Sequence, residues 1–569
     1  MSTTSALSDI SAKLKASRDI FNRAMYQPNT NLAITSLTLG NIHHIKSAAI
    51  ATRASIFHII SNVCSTICAF FPAFLTMASF HDFLVYKCYD EGAGVMGWGL
   101  GTTDAFCPRT STQQSALSNL YISAFKLITF MIQICAIGGY NEIGKNMTAV
   151  KVGEDVIILD MGLYLPTYIQ YTEDEDIKQV PIKKLVEVGA IPDDSVIADW
   201  RKNVKAIVPT HAHLDHLGAL PYISNKYNAE ILCTPYTKEL LTTICKDEHL
   251  KLKNPVKPIS PNSKYKVGEI EVEFIHTTHS TPQAVMVALH TSEGIILYCN
   301  DFKFDSFPVL GKKPNFKRLE ELGQQGVRLL ICDSTRADDA KKTPSESVAR
   351  EMLKDLLLGI KADDKAIIVT TFSSHIARLK SIIEYGKKIN RKVLMLGRSL
   401  AKYVQAAERV NLVNFSKEVK IVKYSSKVQN ALKLIEKNKH EYLLIVTGHQ
   451  GETKAVLSKI ARGELKFDLG KDDAVIFSCS VIPHQVNIQA REALENELKH
   501  LQVRIFKDIH VSGHAAREDL RDLIKMVQPK SLIPAHCEPH MKQEMKGLAH
   551  ECGVKDVILM ADHERITIE

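Results

Sequence analysis

From residue 132 onward, short apolar runs alternate with stretches whose apolar positions repeat at helical spacing. The pattern predicts strands over Ile132–Ile137, Asp155–Leu159, Val204–Pro209, Ile270–Phe274, Gly294–Tyr298, Arg328–Cys332, Ala366–Thr370 and Tyr442–Val446. It predicts helices over Ser345–Leu358 and Ser373–Tyr385, and Leu217–Ile223 also reads as helical. Strands interleaved with amphipathic helices argue for the α/β class, with sheets flanked by helices. Residues 1–130 lack this rhythm and are rich in Ser, Thr, Ala and Asn. Within them Ile56–Phe80 is an almost uncharged apolar run, broken by His58 and Pro72, whose length would allow a membrane span. A buried segment, or translated sequence upstream of the true start, are the alternatives. Met131 stands directly before the first predicted strand, so a compact domain is expected to begin there. Residues 1–130 are read as an extension of unknown role, either accessory, disordered or not native. Asp9 and Asp19 weaken a further alternative, an organelle-targeting segment.

At 569 residues the chain exceeds one hydrophobic core, and two to four domains are expected. With 24% charged and 45% apolar residues, its composition is that of an ordinary globular protein. The formal charge of +8 permits a polyanionic partner without requiring one. Twelve cysteines lack the paired short spacing of a zinc ribbon. Cys135, Cys299, Cys332 and Cys479 fall in strand-like runs, which favours buried free thiols in a reducing, cytoplasmic setting.

The segment Thr210-His211-Ala212-His213-Leu214-Asp215-His216 packs three imidazoles and a carboxylate onto a loop leaving a predicted strand. His211 and His213, two apart, can share one ion, while Asp215 and His216 turn toward a second. Further donors stand at other strand exits: His279 after 270–275, Asp301 after 294–299 and His536 after Ser531–Ala535. Together they offer His211, His213 and His279 for one ion and Asp215, His216 and His536 for another, with Asp301 as the bridge. Nitrogen and oxygen donors without cysteine suit an open, hydrolytic pair of Zn²⁺ ions, with Mn²⁺ an alternative. Asp160, in Leu159-Asp160-Met161-Gly162, is expected to orient a ligand rather than bind an ion.

These motifs resemble the metallo-β-lactamase superfamily, whose His-x-His-x-Asp-His pattern matches 211–216. More narrowly, the chain resembles the β-CASP nucleases, and among them the ribonuclease J family of archaeal type. The likeness runs from about residue 132 to the C-terminus. It is carried by Gly138–Met147, Asp301–Asp305, Asp333-Ser334-Thr335, Thr371–Arg378, Gly397-Arg398-Ser399, Thr447–Glu452 and His510–Ala515. The resemblance implies an αββα sandwich (131–335 and 509–569) interrupted by an α/β β-CASP domain (336–508), with single-stranded RNA in the cleft between them. It implies 5′→3′ exonuclease action from 5′-monophosphate ends, with endonuclease cuts in some members, in RNA decay and maturation. It assigns the same seven metal ligands. His510, Val511, Ser512, Gly513 and His514 match the family's substrate-phosphate loop.

Charge must also be managed at the leaving group. His514, oriented by Asp333, can protonate the departing 3′ oxygen. Asp215 counts among the catalytic residues as well as the ligands. Arg398 with Ser399, Arg378, and the turn Ser373-Ser374-His375 can hold a backbone or terminal phosphate. Such contacts predict weak base preference and steep salt dependence. An endonuclease of the mRNA 3′-end-processing kind and a non-catalytic RNA-binding subunit are the alternatives. A homodimer stays open, and no stable membrane association is expected for 131–569.

The chain also departs from the family pattern. Tyr298-Cys299-Asn300 stands where members usually carry His-Thr-Gly, Pro282-Gln283 replaces Pro-Asp, and His536-Cys537-Glu538 replaces His-Gly-Glu. None of these changes removes a ligand, but each alters the surroundings of one.

Overall fold

The computed structural model describes residues 131–172 and 180–568. The expectations for residues 1–130, the apolar run 56–80 included, lie outside the described residues. No helix among the described residues is long and apolar enough to cross a membrane.

Two seven-stranded sheets and one six-stranded sheet form the frame. The first runs Arg565–Ile568, Ile132–Gly138, Met147–Val152, Asp155–Leu159, Val204–Val208, Glu230–Cys233, Val256–Pro258. The second runs Asp556–Val557, Ser531–Ala535, Val327–Asp333, Gly294–Cys299, Val285–Thr291, Ile270–His276, Lys264–Val267. Each is antiparallel in one half and parallel in the other.

Side-chain alternation explains why these strands are apolar almost throughout. Ile157 and Leu159 point into a core shared with Leu329, Ile331, Phe274 and Val287 of the second sheet. Their neighbours Val156 and Ile158 enter a second core with Leu217, Leu220 and Tyr236. Leu330 and Cys332 likewise turn away, toward Leu520, Leu523 and Leu548 of flanking helices. Each sheet is thus covered by the other sheet on one face and by helices on its opposite face, giving helix, sheet, sheet, helix layers.

The third sheet is wholly parallel, in the order Lys420–Val422, Lys392–Leu396, Tyr442–Val446, Ile367–Thr370, Ala474–Phe477, Arg504–Phe506. All its strands lie in sequence between Asp333, where the chain leaves the second sheet, and Ser531, where it returns. Its helix Arg398–Arg409 packs against Pro235–Asp247 of the sandwich through Leu400, Tyr403, Val404 and Ala407 on Tyr236, Leu240 and Ile244. Lys402 reaches Asp247 (3.2 Å) and Arg409 reaches Glu239 (3.5 Å) beside that seam.

The helix expected over 217–223 is two short turns, Leu214–Leu217 and Leu220–Ile223, separated at Gly218. The eight cysteines among the described residues are free.

Candidate functional site

His211 and His213 lie on the loop after Val204–Val208, and Asp215 and His216 on the turn Leu214–Leu217. His279, Asp301 and His536 each follow a strand of the second sheet. The turn must come unusually close to the exit of the strand Asp155–Leu159. A Cβ on Gly162 would lie 1.6 Å from the Asp215 carbonyl oxygen, so only glycine fits there. Asp160, Asp301 and His536 adopt left-handed backbone, with φ of 59°, 41° and 53°.

The seven donors converge as two sets of four, with Asp301 common to both. His213 Nδ1 lies 3.2 Å from His211 Nε2 and 3.0 Å from His279 Nε2. Asp301 Oδ2 faces the same point, 3.5 Å from His211 Nε2 and 3.4 Å from His279 Nε2. Its other oxygen, Oδ1, lies 3.2 Å from His216 Nε2 and 3.5 Å from His536 Nε2. Asp215 Oδ2 completes that second set, 3.6 Å from His216 Nε2 and 3.9 Å from His536 Nε2.

The outward nitrogen of each ring is held by another group, which fixes which nitrogen faces inward. His216 Nδ1 donates to Asp160 Oδ2 (2.9 Å), His536 Nδ1 to Asn146 Oδ1 (2.9 Å) and His279 Nδ1 to the Gly513 carbonyl (2.7 Å). His211 Nδ1 meets Thr210 Oγ1 (3.0 Å), and His213 Nε2 meets Ser374 Oγ (3.1 Å) from the third-sheet region.

Burial lowers the pKa of His211 and His279 well below the usual range and that of His213 to about 4, leaving three uncharged imidazoles edge to face around one point. Burial also opposes charge on His216 and on Asp301. The carboxylates of Asp301, Asp215 and Asp160 outweigh it at His216, whose pKa moves up, and the imidazoles of His216, His536 and His514 outweigh it at Asp301, whose pKa moves down. Asp301 Oδ1 is buried without a hydrogen-bond partner among the described residues. Converging lone pairs and an unpartnered carboxylate oxygen are what a bound divalent cation requires, so the donor set fits one.

His514 stands over this floor, its ring stacked on His536 at 5.6 Å, with Nε2 3.8 Å from Asp301 Oδ2. Its Nδ1 donates to Asp333 Oδ2 (2.9 Å), and Asp333 Oδ1 accepts from the N–H and hydroxyl of Thr335. Burial disfavours the imidazolium, but Asp301 and Asp333 outweigh it and push the pKa up to about 9.

The 510–514 loop is pinned to the site at Gly513, where a Cβ would meet His279 Cε1 at 2.9 Å. Val511 is buried, and Ser512 Oγ accepts the His514 N–H. His510 is mostly buried beside Phe372 and held neutral, its pKa lowered to about 3 by burial and the Arg378 charge.

In the third-sheet region, Ser373 Oγ and Ser399 Oγ are 2.9 Å apart, and Arg398 is exposed at the first position of the helix Arg398–Arg409. His375 caps the helix Ile376–Lys388 through Arg378 N–H and lies 3.3 Å from Glu346.

Arg378 is not a phosphate ligand, contrary to the expectation from sequence. It is fully buried, paired through Nε (2.5 Å) and Nη2 (2.9 Å) with both Glu346 oxygens. Its Nη1 donates to the Ser478 and Ile509 carbonyls. Arg378→Ala leaves Glu346 buried with only the His375 ring beside it, so it should cost about 3–5 kcal/mol of stability. Denaturant unfolding checks this, and an unaltered midpoint with a raised KM for RNA would return Arg378 to the substrate.

Sequence reasoning did not assign Asn146, which orients His536 from 390 residues away. Its only signal was its place in the Gly138–Met147 match. The departures from the family pattern also have physical roles. Gln283 Oε1 accepts the Tyr236 N–H in the first turn of Pro235–Asp247, and Tyr298 and Asn300 bond to one another below Asp160. Cys537 is buried, its thiol pushed up to about 12.

Comparison with known proteins gives a consistent match along the described chain. Residues 143–323 match the metallo-β-lactamase superfamily, 364–495 the "Ribonuclease J, beta-CASP domain", and 500–560 the "Zn-dependent metallo-hydrolase RNA specificity domain". Ribonuclease J of Methanocaldococcus jannaschii is 42% identical over 444 residues, covering 77% of this chain and 99% of the relative. Ribonuclease J of Pyrococcus abyssi is 43% identical over 428 residues, covering 74% and 93%. A crystal structure of a protein of unknown function from Enterococcus faecalis superposes with a TM-score of 0.55 at 19% identity. That match covers 77% of this chain and all of the other, and bears on the fold alone.

Proposed function

The chain belongs to the ribonuclease J family of metallo-β-lactamase-fold nucleases, and on that premise we propose that it hydrolyses single-stranded RNA from 5′-monophosphate ends with two bound cations. The observation that carries this reading is the pair of four-donor sets sharing Asp301, with His514 above them. His211, His213, His279 and Asp301 would hold one ion, and Asp215, His216, His536 and Asp301 the other. Zn²⁺ fits the nitrogen-rich donors best, with Mn²⁺ next. When bound, two such cations acidify a water and neutralise charge on the phosphoryl oxygens.

The chain's own residues do the rest. Asp160, Asn146 and Gly513 keep the ligand rings aimed, so little reorganisation accompanies reaction. His514 holds its transferable proton on Nε2, because Nδ1–H is committed to Asp333, and gives it to the departing 3′ oxygen. Arg398, Ser399 and Ser374, with the 510–514 loop, position the scissile and terminal phosphates, while His375, buried with its ring on Arg378 N–H and Glu346, holds the turn that carries Ser374. In this reading 131–335 and 509–569 form the catalytic sandwich, and 336–508 form the inserted arm that closes over RNA. The enzyme works in the cytoplasm, and nothing in the site requires a second copy of the chain.

RNA labelled at its 5′ end tests the direction of attack. Labelled mononucleotide as the first product supports the reading, whereas internal fragments alone favour the 3′-end-processing type of endonuclease. RNA bound without cleavage, in a chain free of metal, favours the non-catalytic alternative. Arg398→Ala is expected to raise KM for 5′-monophosphorylated RNA by about tenfold, the worth of one charge-assisted hydrogen bond. Its KM for 5′-hydroxyl RNA should change little, and an equal change for both would remove Arg398 from the terminal-phosphate site.

A further inference from the structure

We infer that Tyr298 and Asn300 are positioning residues that tie the bridging carboxylate to one cation site, and so set the affinity of that site alone. The inference rests on the two-cation reading above and concerns residues at which this chain departs from its family.

Asn300 Nδ2 donates to the Tyr298 hydroxyl (2.8 Å), which in turn donates to Asp160 Oδ2 (3.0 Å). The same oxygen accepts His216 Nδ1–H at 2.9 Å and Thr210 Oγ1–H at 3.2 Å. Asp160 Oδ1 accepts the Thr210 N–H (2.7 Å) and shares the Thr210 hydroxyl proton (3.0 Å) with Oδ2. Tyr298, Asn300, Asp160 and His216 are all buried, so water cannot replace a lost donor without rearrangement.

The relay has a direction. Asn300 precedes Asp301, and its amide reaches back to a side chain two residues earlier on the same strand end. That phenol then braces the carboxylate that aims His216. The position of Asp301 and the angle of the His216 ring are therefore coupled through three hydrogen bonds. In the other set, the Gly513 carbonyl braces His279 and Ser374 braces His213, both away from Asp160. His211 meets Thr210, whose backbone N–H is held by Asp160 Oδ1 (2.7 Å), the oxygen the phenol does not touch. Loss of the phenol should loosen one ion and spare the other.

The test is Zn²⁺ titration of the full chain, stripped of metal, against a chromophoric chelator, with no RNA present. Tyr298→Phe should weaken one equivalent by ~10-fold or more, within the range for groups that brace a ligand, and leave the other unchanged. The weakened equivalent should be the one abolished by Asp215→Ala. Asn300→Ala should weaken the same equivalent less, and the double variant should fall well short of the product of the two effects, because Asn300 acts mainly through the phenol and only weakly through its own 3.5 Å contact with Asp160 Oδ2. With RNA, kcat should fall while KM holds.

Unchanged affinities in Tyr298→Phe, equal weakening of both equivalents, or uptake of a single equivalent by the wild type would each overturn the inference. If Tyr298→Phe does not fold, the Asn300→Ala titration decides in the same way. A wild type that binds two ions but cleaves no RNA would refute the nuclease reading and leave this coupling standing.

Discussion

A His213→Ala chain supplied with Zn²⁺ or Mn²⁺ is expected to lose RNA hydrolysis by ~10³-fold or more while keeping its secondary structure. Charge stabilisation at a cation site is worth several kcal/mol, and each 1.36 kcal/mol is tenfold in rate. His213 is the sharpest choice because its Nδ1 is the atom against which both other rings of its set converge, at 3.2 and 3.0 Å. Its removal therefore opens the set at its centre. The variant should bind one cation fewer, measured by elemental analysis, with an unchanged circular dichroism spectrum after chelation. Retained hydrolysis in a correctly folded variant would show that the chemistry occurs elsewhere.

His514→Ala should behave differently: a loss of about 10²–10⁴-fold in kcat, the usual worth of a proton donor, with both cations still bound. The distinction follows from geometry, since His514 stands on the rim and bonds to Asp333 instead of joining either donor set at close range. A leaving group that needs no proton separates the two roles. On RNA whose scissile 3′ oxygen is replaced by sulfur, His514→Ala should lose much less than on ordinary RNA. Equal losses on both substrates would make His514 a binding residue.

Much of this site could be read from the chain because its ligands obey one local rule. Each stands just past a run of apolar residues, and a strand exit in a layered sheet has few other places to put an imidazole or carboxylate. The 211–216 segment announced itself by density, and 279, 301 and 536 by position. Pairing across hundreds of residues carries no such signal. Asn146 and His536 have no periodicity in common, and the hydrogen bond between them exists only because the first and second sheets stack. Arg378 shows the opposite failure. Its place beside a Ser-Ser-His turn at a helix start suggested phosphate, but burial is decided by what packs opposite. Glu346, on a neighbouring helix, takes the guanidinium out of reach. The two turns over 214–223 follow from Ala219, whose N–H goes to Met161 O, and from Pro221, which has no N–H to continue the ladder.

Three side chains of the metal floor, Asp160, Asp301 and His536, hang from backbone turned to positive φ. Such conformations cost a folded chain on the order of 1 kcal/mol each. A variant library screened only for heat tolerance should therefore drift toward glycine or asparagine at these codons, gaining robustness while discarding its chemistry. Breeding a hardier form of this enzyme calls for a screen that scores severed RNA at every round, with positions 160, 301 and 536 held fixed.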